Sequence, residues 1–393
     1  MNPSPPAPLA GITVVDFTCM IAGPYGARLL ADAGAEVIKI ESPEGDPMRK
    51  RTPIRNGQSS YFGALNAGKK SVMLDLKQAG PRKQALDLIA CADVVIENFR
   101  PGVMKKLGLD YETCATVNPR LIYCSISGYG QTGPKSGHPA YAPILHAVSG
   151  YDTANMHYQR AADAPASTGT FVADVMAGHV AYGAVLTGLI GRATHGRGDH
   201  VDVALLDTML STLVYETQAA QADGPKPGKT VYRPARAGNE FVIIAAITDR
   251  NFKALAEAMN RTELLTDHRF STMASREQHW EEWQDIIADW VRGQDAVDVE
   301  KYLLACGVPC TRFRTIDEAL RDEHLLARGS LRTARDAAGS FQYLGVPFQS
   351  HNVGRSDAVV AVAELGADNE TVLEGVESSR YGSASGAPCT TQK

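Results

Sequence analysis

Hydrophobic positions in the first half of the chain fall into short β-branched runs separated by longer stretches of helical period. Residues 12–17 (ITVVDF), 36–40 (EVIKI), 71–76 (SVMLDL), 93–97 (DVVIE) and 121–127 (LIYCSIS) read as strands, with helical patterns such as 26–33 and 82–91 between them. Strands that alternate with helices are joined by crossovers, so the pattern predicts an α/β fold with a doubly wound parallel sheet. Residues 170–192 (TFVADVMAGHVAYGAVLTGLIGR) are apolar nearly all round and rich in Ala and Gly, which predicts a helix buried on most sides. A turn at 193–200 (ATHGRGDH) then feeds a strand at 200–203 and an apolar helix over 205–218.

Residues 222–229 (ADGPKPGK) combine Gly, Pro and Lys and read as a linker. Beyond it the pattern predicts a strand at 241–247 and helices at 250–259, 277–292 and 295–306, the last capped by Asp295 and ended by Gly307. The expected organisation is a large N-terminal part over 1–221, a linker over 222–234 and a smaller α+β domain over 235–326. Strand-like segments, including 341–346, return over 327–376. The Ser/Gly/Thr-rich stretch 377–393 is expected to be a frayed tail.

The 393 residues are 44% hydrophobic and 21% charged, an ordinary globular balance with length for two domains. A net charge of −5 and a pI near 6.1 argue against a nucleic-acid partner, which needs a basic surface. The N-terminal MNPSPPAPLAG lacks the basic and apolar regions of a signal peptide. The longest apolar stretches, such as 180–190, are interrupted by Gly, Tyr and Thr and read as too short to span a bilayer, so no membrane partner is expected. Seven scattered cysteines without framework spacing fit reduced thiols and a cytoplasmic enzyme. Cys306 and Cys310 are not joined by a second Cys or His pair, and core packing is the simpler reading than a metal site. His146, His179, His195 and His200 also miss metal-ligand spacing and read as structural or surface residues, so no metal is expected.

No GxxxxGK[ST], HExxH or GxSxG occurs, and no GxGxxG follows the first strand. Three features remain as candidate chemistry. Asp174 lies in the first turn of the apolar helix, where amides at the helix start offset the free energy of burying a carboxylate. Position alone fits a plain first-turn acid and does not raise Asp174 above Asp16 or Asp207. Asn98-Phe99-Arg100-Pro101-Gly102 follows a strand directly, at the end where open α/β sheets bind ligands, with an amide and an aromatic face to hold a linker and a base; a simple turn has the same composition. Lys69, Lys70, Lys77, Lys105 and Lys106 suit phosphates, although solvated surface lysines are the commoner case.

Several motifs in fixed order carry a resemblance: Asp16-Phe17-Thr18 with Ala22-Gly23-Pro24, residues 35–41 (AEVIKIE) with Gly45, Asp46 and Arg49, residues 92–102 (ADVVIENFRPG), 118–134 (NPRLIYCSISGYGQTGP) and 195–207 (HGRGDHVDVALLD). From about Leu9 to about Ser350 the chain resembles the family III CoA-transferases, which include formyl-CoA, carnitine and several succinyl-CoA-dependent transferases, with α-methylacyl-CoA racemase as a relative. The resemblance implies a Rossmann-like large domain, built from the N-terminal half and the returning segment 327–376, linked to a smaller domain in an interlocked homodimer. The segment 169–174 (GTFVAD) aligns with the stretch holding the family's nucleophilic aspartate, which makes Asp174 the implied catalytic residue. Implied CoA contacts are Ile21, Ala22, Ser42, Leu74, Lys77, Asn98, Phe99, Lys106 and Tyr141.

By the same resemblance, the reaction moves CoA from an acyl-CoA donor, succinyl-CoA being the commonest, to a carboxylic acid through an aspartyl anhydride and an aspartyl-CoA thioester. CoA serves as substrate and no cofactor is permanently bound. Formyl-CoA enzymes carry Gln where this chain has Ile21, Arg at Ser42 and Glu at Ala142, so formyl-CoA:oxalate exchange is not expected. Racemases place a base histidine at Tyr141 and an Asp at Ala142, which makes racemisation the weaker alternative. A third alternative is a CoA-binding protein without turnover. Apart from the resemblance, Arg233 and Arg236 offer cations for an acceptor's distal carboxylate, and surface placement explains them equally well.

Overall fold

The strands predicted between residues 12 and 203 form and join a single sheet. They are β1 (Thr13–Asp16), β2 (Glu36–Glu41), β3 (Lys70–Met73), β4 (Val94–Glu97), β5 (Ile122–Ser127) and β6 (Asp199–Ala204). Their order is β3-β2-β1-β4-β5-β6, and every neighbouring pair is parallel. The computed structural model describes residues 6–159, 162–165, 168–223, 230–349 and 358–382. The described residues divide into two compact units, one within Met1–Gln218 and Ala327–Lys393, the other within Ala219–Leu326.

Both faces of the parallel sheet are buried, as crossover helices require. Val14, Val37, Val94, Ile96, Ile122 and Cys124 face one core; Val15, Ile38, Val72, Val95 and Tyr123 face the other. The first face is covered by α1 (Ala22–Asp32), α5 (Ala142–Val148) and α6 (Val172–His195). The second is covered by α3 (Ala79–Cys91), α4 (Tyr111–Val117) and the start of the helix Asn369–Gly382. The short α2 (Ser60–Asn66) follows the hairpin Ile54–Arg55 and Gln58–Ser59.

The sequence places α1 and α6 unusually close. A Cβ on Gly26 would lie 2.9 Å from the Gly178 carbonyl oxygen, and one on Gly178 would lie 2.9 Å from that of Ala22. Only glycine lets the two backbones meet in this way. Since α1 leaves the carboxyl end of β1 and α6 feeds the start of β6, both helices run against the strands. Their N-termini therefore share the carboxyl edge of the sheet.

Four expectations need correction. The apolar run read as too short to span a bilayer belongs to a 24-residue helix, long and apolar enough by length and composition to do so; within its unit Ala173, Ala177, Ala181 and Val185 of this helix are core. The helix expected over 205–218 breaks into Leu205–Ser211 and Val214–Gln221. There the Thr208, Ser211 and Thr212 hydroxyls bond the carbonyls of Ala204, Thr208 and Met209 and compete with the helix ladder. The helix expected from 277 is two, Met273–Gln278 and Trp280–Val291, because His279 leaves helical geometry at ψ 29°. The frayed tail expected from 377 begins inside the helix Asn369–Gly382. Residues 383–393, and 224–229 of the expected linker, lie outside the described residues.

The second unit has an antiparallel sheet of Ala235–Ala237, Glu240–Ile244 and Cys310–Arg312. Phe252, Phe270, Trp283, Val291 and Leu303 fill its core. Asp295 caps the helix Ala296–Ala305 by accepting from the amides of Val297 and Asp298 at 2.9 and 3.3 Å. Segments after 327 return to the first unit, where Leu331–Asp336 pairs with Gly339–Leu344 and with Val360–Ala361.

Candidate active site

The strand order reverses between β1 and β4, and the crevice beyond the carboxyl ends at such a reversal is where open α/β sheets bind ligands. The loop leaving β1 occupies that position here, and polar side chains hold it from beneath. Asp16 and Lys39 alternate with apolar neighbours on β1 and β2, so both point to the face of α1. Lys69 Nζ donates to Asp16 Oδ2 at 2.8 Å, to Pro24 O at 2.9 Å and to Asn66 Oδ1 at 2.9 Å. Lys39 Nζ donates to Thr18 O at 2.7 Å and lies 3.0 Å from Asp46 Oδ2. The other Asp16 oxygen accepts from the Thr18 amide and hydroxyl. Glu41 takes Arg49 in a two-pronged pair at 2.6 and 2.8 Å and the Ser71 hydroxyl at 2.7 Å.

Three cations thus meet three carboxylates in the interior. Burial opposes ionisation of Asp16 and Glu41, but the neighbouring cations outweigh it; Asp16 is held below its usual range and Glu41 falls to about 2. Burial, only partly offset by Asp16, pushes Lys69 down to about 8. Lys69 is therefore not one of the solvated or phosphate-facing lysines expected from sequence. The segments around Asp16, Lys39, Asp46 and Arg49 are one structural device, distant in sequence and joined beneath the loop.

Above the network the loop is sharply folded. Met20 has φ 68°, a left-handed conformation that costs a non-glycine residue free energy. Asn98 reaches across the reversal from the end of β4: its Oδ1 accepts from Cys19 N at 2.9 Å and its Nδ2 donates to Cys19 O at 2.8 Å. This differs from the expected use of that amide for a ligand linker. The carbonyl and one N–H are committed to the loop, and the next amide of the turn, that of Phe99, donates to Glu97 Oε2 at 2.9 Å. Burial and the Asp46 charge push the Cys19 thiol up to about 11, so it stays protonated at neutral pH and is a poor nucleophile.

Asp174 is in the first turn of α6, at the same edge. Its carboxyl is half-buried and makes no hydrogen bond or ion pair among the described residues. Burial pushes it up to about 6. The N-terminal ends of α1 and α6 place positive dipole ends beside it, an arrangement that favours its anion. Tyr61 of α2 is close enough that, after burial, the Asp174 charge raises its phenol pKa. Tyr61 carried no signal in the sequence. Tyr25 Oη lies 3.3 Å from His179 Nε2, one turn further along α6.

The other expected site residues differ in burial and in their place along the chain. Ile21 and Ala22 are buried where the loop becomes α1, and Leu74, directly after β3, is buried in the core that also holds Phe99. Ser42 is exposed directly after β2, Lys77 is exposed beyond Leu74, and Lys106 is exposed on the helix Val103–Leu107. Tyr141 precedes α5 and is 67% exposed. In the second unit Arg233 pairs with Asp285 at 2.7 Å, and Arg236 lies over the Phe241 ring.

The opposite face of the sheet holds a cavity of about 440 Å³ lined by Glu97, Tyr111, Ser125, His200 and Asp202, among others. Ser125 Oγ lies 3.0 Å from His200 Nε2, Tyr111 stacks on that ring, and burial pushes Glu97 up to about 7.

Residues 9–369 match the pattern of CoA-transferase family III. The chain is 35% identical over 338 residues to the acetyl-CoA:oxalate CoA-transferase of Acetobacter aceti, covering 83% of this chain and 86% of that one. It is 35% identical over 346 residues to the succinyl-CoA–D-citramalate CoA-transferase of Chloroflexus aurantiacus, covering 84% and 85%. Among solved structures, a CaiB/BaiF family protein from Brucella suis superposes with a TM-score of 0.79 at 31% identity, over 95% of this chain and all of the other. Rv3272 from Mycobacterium tuberculosis gives a TM-score of 0.85 at 27% identity, over 94% and 99%. Shared sequence across most of the length, on a parallel sheet with its ligand edge built as described, leads to one assignment: the chain belongs to family III of the CoA-transferases.

Proposed function

We propose that this enzyme moves CoA from an acyl-CoA donor to a carboxylic acid through covalent intermediates on Asp174. The observation that carries the reading is the Asp174 carboxyl, half-buried at the ligand edge and without a partner among the described residues. A carboxylate held for structural reasons is normally paired or hydrogen-bonded.

The Asp174 carboxylate attacks the thioester carbonyl; the C–S bond breaks, giving an aspartyl–acyl anhydride and CoA thiolate. The bound thiolate attacks the aspartyl carbonyl, forming an aspartyl-CoA thioester and releasing the donor acid as its carboxylate. The acceptor carboxylate attacks that thioester to give a second anhydride and thiolate. Thiolate attack on the acceptor carbonyl then yields the new acyl-CoA and restores Asp174. One thioester replaces another, so no ATP, redox partner or net proton is needed. Holding the thiolate makes its return attack effectively unimolecular. The amides at the starts of α1 and α6 suit the oxyanions formed on the way.

Ile21, Ala22, Leu74 and Phe99 supply an apolar floor for CoA. Ser42, Lys77 and Lys106 supply an exposed polar rim, Asn98 its backbone, and Tyr141 a ring at the margin. Several relatives are named for succinyl-CoA, including the D-citramalate and L-malate enzymes of Chloroflexus aurantiacus, which supports succinyl-CoA as the donor class. An interlocked homodimer is supported by apolar residues left exposed on α6: Val175, Val180 and, at 70% exposure, Ile190.

Incubation with succinyl-CoA and a panel of carboxylic acids, without ATP, should give new acyl-CoA masses that vanish in Asp174→Ala. No new thioester, together with solvent deuterium entering an α-methylacyl-CoA, would transfer the assignment to racemisation.

A further inference from the structure

The turn that carries Asp174 lacks an ordinary cap. Phe171 occupies the capping position of α6 and offers no polar side chain. Its place is taken from another helix. His146 of α5 is fully buried, and its Nε2 accepts the Ala173 amide, adjacent to Asp174, at 3.1 Å. An amide N–H donates only to an unprotonated ring nitrogen, so the imidazole is neutral with its proton on Nδ1. That Nδ1 is buried with no hydrogen-bond partner among the described residues. Ala142, Leu145 and Ala173 belong to the same core, and the Tyr151 ring lies 5.6 Å away, centroid to centroid. A half-satisfied imidazole in an apolar core is unfavourable for stability alone.

We propose that His146 is a positioning residue for Asp174. The Ala173 amide is one of the orphan donors of the helix start, and a carboxylate in the same turn is drawn toward such donors. With that amide engaged by His146, it is withheld from the Asp174 carboxyl, which keeps its lone pairs for the acyl carbon. The single bond also ties α5 to the first turn of α6, which fixes where the nucleophile stands. This rests on Asp174 being the nucleophile.

The test compares His146→Leu, His146→Gln and Asp174→Ala by kcat, by KM for succinyl-CoA and by the rate at which CoA becomes attached to the protein. Loss of positioning predicts that His146→Leu lowers kcat and the attachment rate about tenfold while KM stays within about twofold. His146→Gln, whose amide oxygen can accept from Ala173, is predicted to recover most of the rate. If the Leu variant does not fold, the Gln variant carries the test and must turn over near the wild-type rate. A folded Gln variant as slow as expected for Leu, an unchanged kcat in Leu, or a loss carried by KM overturns the proposal. Full activity in His146→Leu with a dead Asp174→Ala removes only the positioning role, whereas turnover by Asp174→Ala removes the nucleophile itself.

Discussion

Replacing Asp174 with asparagine is predicted to abolish transfer and, at the same time, to stabilise the fold. Burial raises the Asp174 carboxyl from its ordinary 3.8 to about 6. At ~1.4 kcal/mol per pH unit, that rise corresponds to about 3 kcal/mol of penalty for the anion. Partial exposure to solvent trims it to about 2 kcal/mol. Below pH 3.8 the folded and unfolded chains both carry the proton, and the group contributes no difference. Between 3.8 and 6 the unfolded chain ionises first, so wild-type stability falls as pH rises, and above 6 the full penalty is present. The carboxamide of Asp174→Asn has no such titration. Denaturant unfolding of both proteins should therefore show a gain for Asp174→Asn near zero at about pH 4 that grows to about 2 kcal/mol by about pH 7. A variant less stable than wild type at neutral pH, or a difference that ignores pH, would mean that burial does not leave the Asp174 anion a net cost to the fold.

The same ionisation predicts that kcat/KM for succinyl-CoA rises through about pH 6 and levels above it, falling to about one-tenth at about pH 5; a profile flat down to that pH would count against an Asp174 nucleophile. Gly178→Ala places a methyl 2.8 Å from Tyr25 Cδ1 and 2.9 Å from Ala22 O, and is predicted to cost about 1–3 kcal/mol in thermal or denaturant unfolding and to slow turnover by moving α6 from the loop. Unchanged stability would mean the helices separate freely. Asn98→Ala leaves both polar groups of Cys19 unpartnered and is predicted to destabilise by about 1–3 kcal/mol and to lower kcat more than it raises KM for acyl-CoA. A change confined to KM would return Asn98 to direct ligand binding.

Much of the large sheet is legible in the sequence because its strands are buried on both faces and stand out as β-branched runs between helical periods. β2 reads directly from EVIKI, and Lys39, a charged residue in its interior, supports the loop. Local pattern fails where long-range partners decide the outcome. Lys69 looks like a surface cation because nothing nearby in sequence announces Asp16, its partner across 53 positions. Asn98 looks like a turn residue or a ligand contact, and only the folded chain brings Cys19 to it. His146 and Tyr61 gain meaning only through their closeness to the turn that holds Asp174. Helix ends at Thr212 and His279 escape the pattern because hydroxyl back-bonding and a single non-helical residue do not disturb the hydrophobic period.

A covalent bond between CoA and Asp174 is open to mass spectrometry of the protein after exposure to succinyl-CoA without an acceptor. An added CoA is expected on a peptide containing Asp174, discharged by a competent carboxylic acid and absent from Asp174→Ala. Steady turnover in Asp174→Ala, or CoA attached reproducibly to another residue, would contradict it.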